Sequence, residues 1–60
     1  MPNITVQQMP KTTEQKRELA ARITAAFVDV CKAPGESVHV WFQEVSSEDY
    51  ASNGKLVADK

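Results

Sequence analysis

The chain is 60 residues long, with seven Lys or Arg against eight Asp or Glu, a formal net charge of −1 and 42% hydrophobic residues. This balance gives no excess of positive charge for binding nucleic acid or an anionic membrane surface, and no apolar run approaches the length of a membrane span. The length predicts a single domain over residues 1–60, and because so short a chain buries only about 60% of its unfolded surface, its own core is marginal.

The first predicted element is a β-strand over Asn3–Gln8, within the opening sequence MPNITVQQ. Ile4 and Val6 alternate with polar residues, which is the pattern of a strand with one buried face. Pro2, directly before this strand, has two interpretations. It is tolerated at a strand's first residue because it has no N–H to contribute. Alternatively, removal of Met1 would leave a free secondary amine at Pro2, which is a candidate base.

A helix of about five turns is predicted next. Thr12 stands three residues before Gln15, the spacing of a capping box, so the helix is expected to begin near Thr13. Pro34 and Gly35 are expected to stop it. Apolar residues recur within it at helical spacing and are expected to form one buried stripe: Leu19, Ala20, Ile23, Ala26, Phe27, Val30 and Cys31.

The sequence SVHVWFQE, residues 37–44, predicts a second strand with Val38, Val40 and Phe42 on one face. A strand, a helix and a strand in this order predict a β-α-β unit with parallel strands and a right-handed crossover. Asn53-Gly54, between two short segments of the tail, predicts a C-terminal hairpin. The fold class is therefore expected to be α+β.

One helix covers only one face of such a sheet, so the opposite face would expose Trp41 in a monomer, and the open sheet edges invite pairing. The single cysteine excludes an internal disulfide, and one His with one Cys gives no zinc-site spacing. Oligomerisation remains as the way to stabilise the chain, with Trp41 as an interface anchor. The first residues lack the pattern of a secretory signal, which predicts a cytoplasmic protein.

Few side chains are candidates for chemistry, because the sequence has no glycine-rich phosphate loop, His-Glu-x-x-His run or serine triad motif. Cys31 is expected to be an inert core thiol. Taken singly, Lys11 is expected to be a solvated charge, Tyr50 a packing aromatic and His39 a structural or solvated imidazole. Pro2 differs because one processing step would create a base, and desolvation or nearby cations at a subunit interface would favour its neutral form.

Taken together, these features resemble the 4-oxalocrotonate tautomerase family of the tautomerase superfamily over essentially all 60 residues. The matching features, in chain order, are Met1-Pro2 before a short strand, TEQK at the helix start (residues 13–16), Ala33-Pro34 at its end, SVHVWFQEV as the second strand (residues 37–45), the aromatic Tyr50, and Asn53-Gly54-Lys55 in the hairpin. The resemblance implies the tautomerase fold, a β-α-β unit with a C-terminal hairpin, assembled into an oligomer that is a homohexamer.

The resemblance also implies an isomerase that moves a proton in small enol or α-keto acids, 2-hydroxymuconate-like or phenylenolpyruvate-like carboxylates, without metal or organic cofactor. Pro2 would be the general base. Family members hold a substrate carboxylate with a loop arginine and stabilise the oxyanion with a strand arginine; here Lys11 and His39 stand in those places. Tyr50 would form an apolar wall. Because lysine lacks the fork of arginine and histidine changes charge near neutral pH, the usual dicarboxylate dienol is not expected to be the native substrate.

Two other functions stay open at this stage. A hydratase or dehalogenase acting on unsaturated acids would use the same proline, with Glu44 or Glu48 as candidates for activating water. A non-catalytic oligomeric member of the fold would keep the architecture and lose the chemistry. The two missing arginines favour this last alternative, whereas Pro2 and Tyr50 argue against it.

Overall fold

A computed structural model describes residues 1–59 of the chain as a β-α-β unit followed by a small hairpin. The elements in order are β1 (Asn3–Gln8), α1 (Thr13–Cys31), β2 (His39–Glu44), β3 (Ala51–Ser52) and β4 (Lys55–Leu56), with 3-10 turns at Gly35–Ser37 and Val57–Asp59. β1 and β2 pair in parallel, and β3 and β4 pair antiparallel. The predicted fold class is confirmed.

The β1–β2 sheet has one face against the helix and one open face. Its register runs from Asn3 opposite His39 to Gln8 opposite Glu44. Because successive side chains of a strand point to opposite faces, exposed and half-buried residues alternate along β1 and through most of β2. The half-buried apolar set is Ile4, Val6, Val40 and Phe42. The exposed set is Asn3, Thr5, Gln7, His39, Trp41 and Gln43.

β2 begins two residues later than predicted. Gly35–Ser37 forms a 3-10 turn, in which the Ser37 hydroxyl donates to the Pro34 carbonyl at 2.8 Å. Val38, between this turn and β2, is 9% exposed and is the one buried hydrophobic residue among residues 1–59.

The helix begins at Thr13, as the capping-box spacing predicts. The Gln15 backbone N–H donates to Thr12 Oγ1, and the Thr12 backbone N–H donates to Gln15 Oε1, both at 3.1 Å. Two of the N–H groups that a helix start leaves without partners are thereby satisfied within four residues.

The other end of α1 lies earlier than the Pro34-Gly35 pair. The helix ends at Cys31, and its cap is Lys32 in the left-handed conformation, with φ 58°. The Lys32 N–H bonds to the Phe27 carbonyl. A left-handed cap closed by such a bond is a usual way to end a helix, although glycine is the residue that adopts it most easily.

The apolar stripe of α1 is only partly covered by the sheet, so the prediction of one buried stripe was wrong. Ala20, Ile23 and Phe27 are half-buried, whereas Val30 is 76% exposed. Cys31 is also exposed and is not a core thiol. The physical reason is width: two strands lie about 5 Å apart and cannot cover an apolar arc of about 100° or more around a helix.

The C-terminal hairpin turns at Asn53-Gly54, as predicted. Both residues have positive φ, 54° and 80°, as the two central positions of a type I′ turn require. Ala51 pairs with Leu56, and Ser52 pairs with Lys55.

The chain by itself is extended and poorly buried. Its radius of gyration is 14.6 Å, compared with about 10 Å for a compact domain of this length. Its accessible surface is 4711 Å², compared with about 3,900 Å² for a folded monomer of this mass. Among residues 1–59, no helix combines the length and the apolar composition needed to cross a membrane.

Candidate active site

Pro2 and His39 lie together at the end of the sheet where both parallel strands begin. The His39 backbone N–H donates to the Pro2 carbonyl oxygen at 3.0 Å, which continues the β1–β2 ladder by one bond beyond Asn3. Pro2 is half-buried, whereas the Met1 residue before it is 85% exposed. The proline is therefore held by the sheet, and the methionine extends from it into solvent.

The side chain of His39 lies on the open face of the sheet, the face that also carries Trp41. Trp41 is 60% exposed, as the strand pattern predicts for a chain without a partner. Further along the same face, Gln7 Nε2 donates to Gln43 Oε1 at 2.6 Å. This open face carries an imidazole at the end where the strands begin, then an indole, then a pair of amides.

Lys11 and Tyr50 lie towards the opposite end of the sheet. Lys11 follows the carboxyl end of β1, and Tyr50 lines a cleft together with Gln8 at that same end. Six residues of extended chain separate Pro2 from Gln8, which is roughly 20 Å at the usual rise of a strand. One copy of the chain therefore does not bring all four predicted site residues together.

The cleft beside Tyr50 has a volume of about 550 Å³ and is lined by Gln7, Gln8, Met9, Val45, Asp49, Tyr50 and Ala51. Tyr50 is 50% exposed. The Asp49 carboxylate accepts a hydrogen bond from the Ser46 hydroxyl at 2.9 Å, which fixes it at the start of the tail. Gln8 Nε2 is buried and has no hydrogen-bond partner within residues 1–59. The lining of this cleft therefore includes an aromatic ring, a carboxylate and the side chain of Gln8.

Lys11 lines a different cleft, of about 350 Å³, together with Gln15, Glu18, Leu19 and Arg22. Arg22 forms an ion pair with Glu18, one helical turn before it. Sequence reasoning did not select Arg22, although the spacing of four residues between an acid and a base was visible as a helix-surface pair. Because both groups are largely exposed, this pair adds little to stability.

Glu44 has a structural role that the sequence did not reveal. Its Oε2 accepts a hydrogen bond from the Lys11 backbone N–H at 3.0 Å and lies 3.1 Å from Lys16 Nζ. These contacts, the Lys11 bond first and Lys16 second, hold the pKa of the Glu44 carboxyl below its usual value of 4.5. Glu44 is therefore an ionised anchor between β2, the loop before the helix and the helix itself.

The fold and the site define a class: a small β-α-β unit with a C-terminal hairpin, with Pro2 and His39 at one end of its parallel sheet and Lys11 and Tyr50 towards the other. Comparisons with known proteins identify the family. The family described as "Tautomerase enzyme" matches residues 2–60.

Relatives and solved structures agree over the full length. A probable tautomerase of Bacillus cereus is 41% identical over 61 aligned residues, covering all of both chains. The 2-hydroxymuconate tautomerase of Bacillus subtilis is 35% identical over 60 residues, 98% of this chain and 97% of the relative. A crystal structure of YwhB, a homologue of 4-oxalocrotonate tautomerase, superposes with a TM-score of 0.93 at 33% identity, covering 98% of each chain. The chain belongs to the tautomerase family and is an enzyme of the isomerase class.

Proposed function

We propose that this chain is a cofactor-independent tautomerase of small enol or α-keto acids, with the Pro2 nitrogen as general base once Met1 has been removed. The observation that supports this most directly is the bond from the His39 N–H to the Pro2 carbonyl. It joins the backbone of Pro2 to the start of β2, so that Pro2 lies at the same end of the sheet as His39, the proposed donor to an oxyanion. The exposure of Met1 makes its peptide bond accessible to an aminopeptidase.

The proposed reaction moves one proton. The neutral Pro2 amine takes it from the enol hydroxyl, or from a carbon beside a carbonyl, and returns it to another carbon of the conjugated system. The electron pair left behind is delocalised onto oxygen, where the His39 imidazole donates a hydrogen bond to the developing charge. Lys11 contacts the substrate carboxylate, and Tyr50 supplies an apolar wall. Substrate and product are isomers, so nothing else is consumed.

We further propose that the site is completed by a second copy of the chain within a homohexamer. The excess of about 800 Å² in accessible surface and the exposed Trp41 support burial against other copies. The distance between the Pro2 end and the Lys11 end of one copy requires that the two groups come from different subunits if they contact one small substrate. The exposed hairpin is suited to lie on a neighbour.

For the substrate we favour an acid with one carboxylate and an aromatic or apolar tail, of the phenylenolpyruvate type, over a dicarboxylate of the 2-hydroxymuconate type. The Asp49 carboxylate lines the Tyr50 cleft, and among residues 1–59 no lysine or arginine lines it. A second carboxylate on the substrate would be repelled there, whereas a phenyl ring would pack against Tyr50.

The central test is Pro2→Ala, assayed with phenylenolpyruvate. Alanine also permits removal of Met1 and leaves a primary amine, so intact mass must first show that methionine is absent from both proteins. We expect kcat/KM to fall about 10²-fold or more, the usual contribution of a positioned general base. Turnover equal to that of the unmodified protein would exclude Pro2 as the base.

A mixing experiment tests the two-copy site. Pro2→Ala and Lys11→Met subunits are each impaired, but after unfolding and reassembly in equal amounts about one quarter of the sites should combine a native Pro2 with a native Lys11 from another subunit. Activity at low substrate concentration should rise above that of either variant alone. If both residues came from the same chain, no mixed site would hold both, and mixing would restore nothing.

The hydratase or dehalogenase alternative is not favoured by any contact within the described part of the chain, residues 1–59. It needs a carboxylate free to activate water, and the Glu44 carboxylate is already bonded to Lys11 and paired with Lys16. Glu48 is exposed, and its backbone N–H bonds to the Ser46 hydroxyl. Hydration of a haloacrylate by Pro2-intact protein lacking tautomerase activity would reverse this preference.

A further inference from the structure

The loop between β1 and α1, residues 9–12, carries Lys11 and has few means of holding its own backbone. Pro10 has no N–H, and the Thr12 N–H is used by the capping box. The Lys11 N–H is bonded to a residue 33 positions away, Glu44 at the end of β2. This bond ties the middle of the loop to the sheet.

The Glu44 carboxylate that accepts the Lys11 N–H is itself held in place. Glu44 lies opposite Gln8 in the parallel register, and the following Val45 N–H continues the ladder by donating to the Gln8 carbonyl at 2.9 Å. The backbone of Glu44 is therefore fixed on both sides of the residue. Lys16 Nζ, in the second turn of α1, is 3.1 Å from the same Oε2 atom that receives the Lys11 N–H. One oxygen thus joins the strand, the loop and the helix.

Glu44 forms its ion pair with Lys16, which leaves the Lys11 ammonium available to a substrate carboxylate. Lys16 pairs with Glu44, whereas the Lys11 ammonium forms no ion pair with any group of residues 1–59. Glu44 therefore holds Lys11 by its backbone and leaves the ammonium free. A lysine is a point charge on a flexible stem, so the place of its charge depends on where its Cα is fixed.

We propose that Glu44 is a positioning residue, which fixes the Lys11 backbone so that the Lys11 ammonium meets the substrate carboxylate. This inference rests on the proposed role of Lys11 as the carboxylate contact. Glu44 itself does not touch the substrate and exchanges no proton with it. Its effect on catalysis passes through Lys11 alone.

The test is a double-mutant cycle measured with phenylenolpyruvate. Glu44→Ala should raise KM by at least about fivefold and change kcat by less than about twofold, because uniform binding is lost while the Pro2 chemistry remains. Lys11→Met should raise KM by at least as much. Adding Glu44→Ala to Lys11→Met should raise KM no further, since a residue that acts through another has nothing left to position.

Two further variants separate the contacts of Glu44. Glu44→Gln keeps an oxygen that can accept the Lys11 N–H but loses the charge that pairs with Lys16, so its KM should lie between those of the unmodified protein and Glu44→Ala. Lys16→Met removes only the ion pair and should have the smaller effect. Asp29→Asn removes one negative charge from an exposed position of α1 and should leave both constants unchanged.

Amide hydrogen exchange provides a readout that does not depend on activity. The Lys11 amide should exchange faster in Glu44→Ala than in the unmodified protein, and Glu44→Gln should retain part of the protection. If Glu44→Ala does not assemble, the Glu44→Gln and Lys16→Met variants still report both KM and exchange. Unchanged Lys11 exchange in the Gln and Ala variants would overturn the proposal.

The kinetic outcomes distinguish this inference from the proposed function. Suppose that Lys11→Met raises KM, but that Glu44→Ala either leaves KM unchanged or raises it by its full factor in the double variant as well. Glu44 is then not a positioning residue, whereas Lys11 remains a substrate contact. If Lys11→Met has no effect on KM, both the Lys11 assignment and the role of Glu44 fail. The Pro2→Ala result is independent of either outcome.

Discussion

Replacing Trp41 by alanine should weaken assembly strongly. Trp41 is 60% exposed on the open face of the sheet. Since a tryptophan presents up to about 250 Å², about 150 Å² would be covered if that face packs against other copies, which at about 25 cal/mol per Å² is about 4 kcal/mol per subunit. Alanine retains part of this, so we expect a loss of about 2 to 4 kcal/mol of association free energy.

The assay is a dilution series followed by analytical ultracentrifugation, with Val30→Ala as the matched comparison. Val30 is 76% exposed on α1. Its replacement by alanine removes less apolar area than Trp41→Ala does, and it removes that area from the helix and not from the open face of the sheet. The chain has one tryptophan, so its fluorescence also reports directly on this position. Emission should be blue-shifted in the assembled protein and move to the red on dissociation. The reasoning is refuted if Trp41→Ala dissociates at the same concentration as the unmodified protein, or if the assembled protein shows the emission of a solvated indole.

Three further predictions concern the cleft, the anchor and the helix start. Asp49→Asn should raise kcat/KM for 2-hydroxymuconate about fivefold relative to phenylenolpyruvate, by removing about 1 kcal/mol of repulsion from a second carboxylate; an unchanged ratio would place that carboxylate elsewhere. The pKa of Glu44 is lowered by Lys11 and Lys16, so its contribution to stability is present above pH 4.5 and is lost as the pH falls through the lowered value. A plot of Tm against pH should therefore fall less steeply in acid for Glu44→Gln, and parallel curves would contradict this. Thr12→Ala should cost about 1 kcal/mol by removing the cap, measured by urea denaturation, and no loss would mean that the bond to Gln15 does not stabilise the helix.

The parts of the fold that sequence patterns predicted are those set by neighbouring residues. Alternation defined β1 from Asn3 to Gln8, the capping box located the helix start at Thr13, and Asn53-Gly54 located the hairpin. Each of these signals acts within about four residues along the chain. The left-handed cap at Lys32 was missed because nothing local requires a lysine there; its conformation follows from the path that the chain takes to β2.

The site residues chosen from the sequence stay predictions, and their arrangement could not be read from the sequence. Pro2 was selected from a single feature, a proline behind the initiator methionine, and the bond between its backbone and that of His39 follows once the strands are known to be parallel. The anchoring of Lys11 by Glu44 joins positions 33 apart, and no spacing rule connects them. The exposure of Cys31 was missed for a related reason: helical periodicity shows which residues share a face, whereas the width of the covering sheet is a tertiary property.

The proposed use of Lys11, a lysine and not an arginine, as the carboxylate contact gives the Glu44 anchor its importance. An arginine can find a carboxylate through two parallel hydrogen bonds, and this geometry tolerates some movement of its backbone because the fork itself imposes the orientation. A lysine has no such fork, so a loose loop would spread its charge over several ångströms and weaken contact with any one carboxylate. The protein combines the less specific cation with a loop whose Lys11 N–H is bonded to the sheet through Glu44. Replacing Lys11 by arginine should therefore make substrate binding less dependent on Glu44, and the increase in KM caused by Glu44→Ala should be smaller in that background. An equal increase in both backgrounds would mean that the bond from Glu44 serves the stability of the loop and not the placement of the cation.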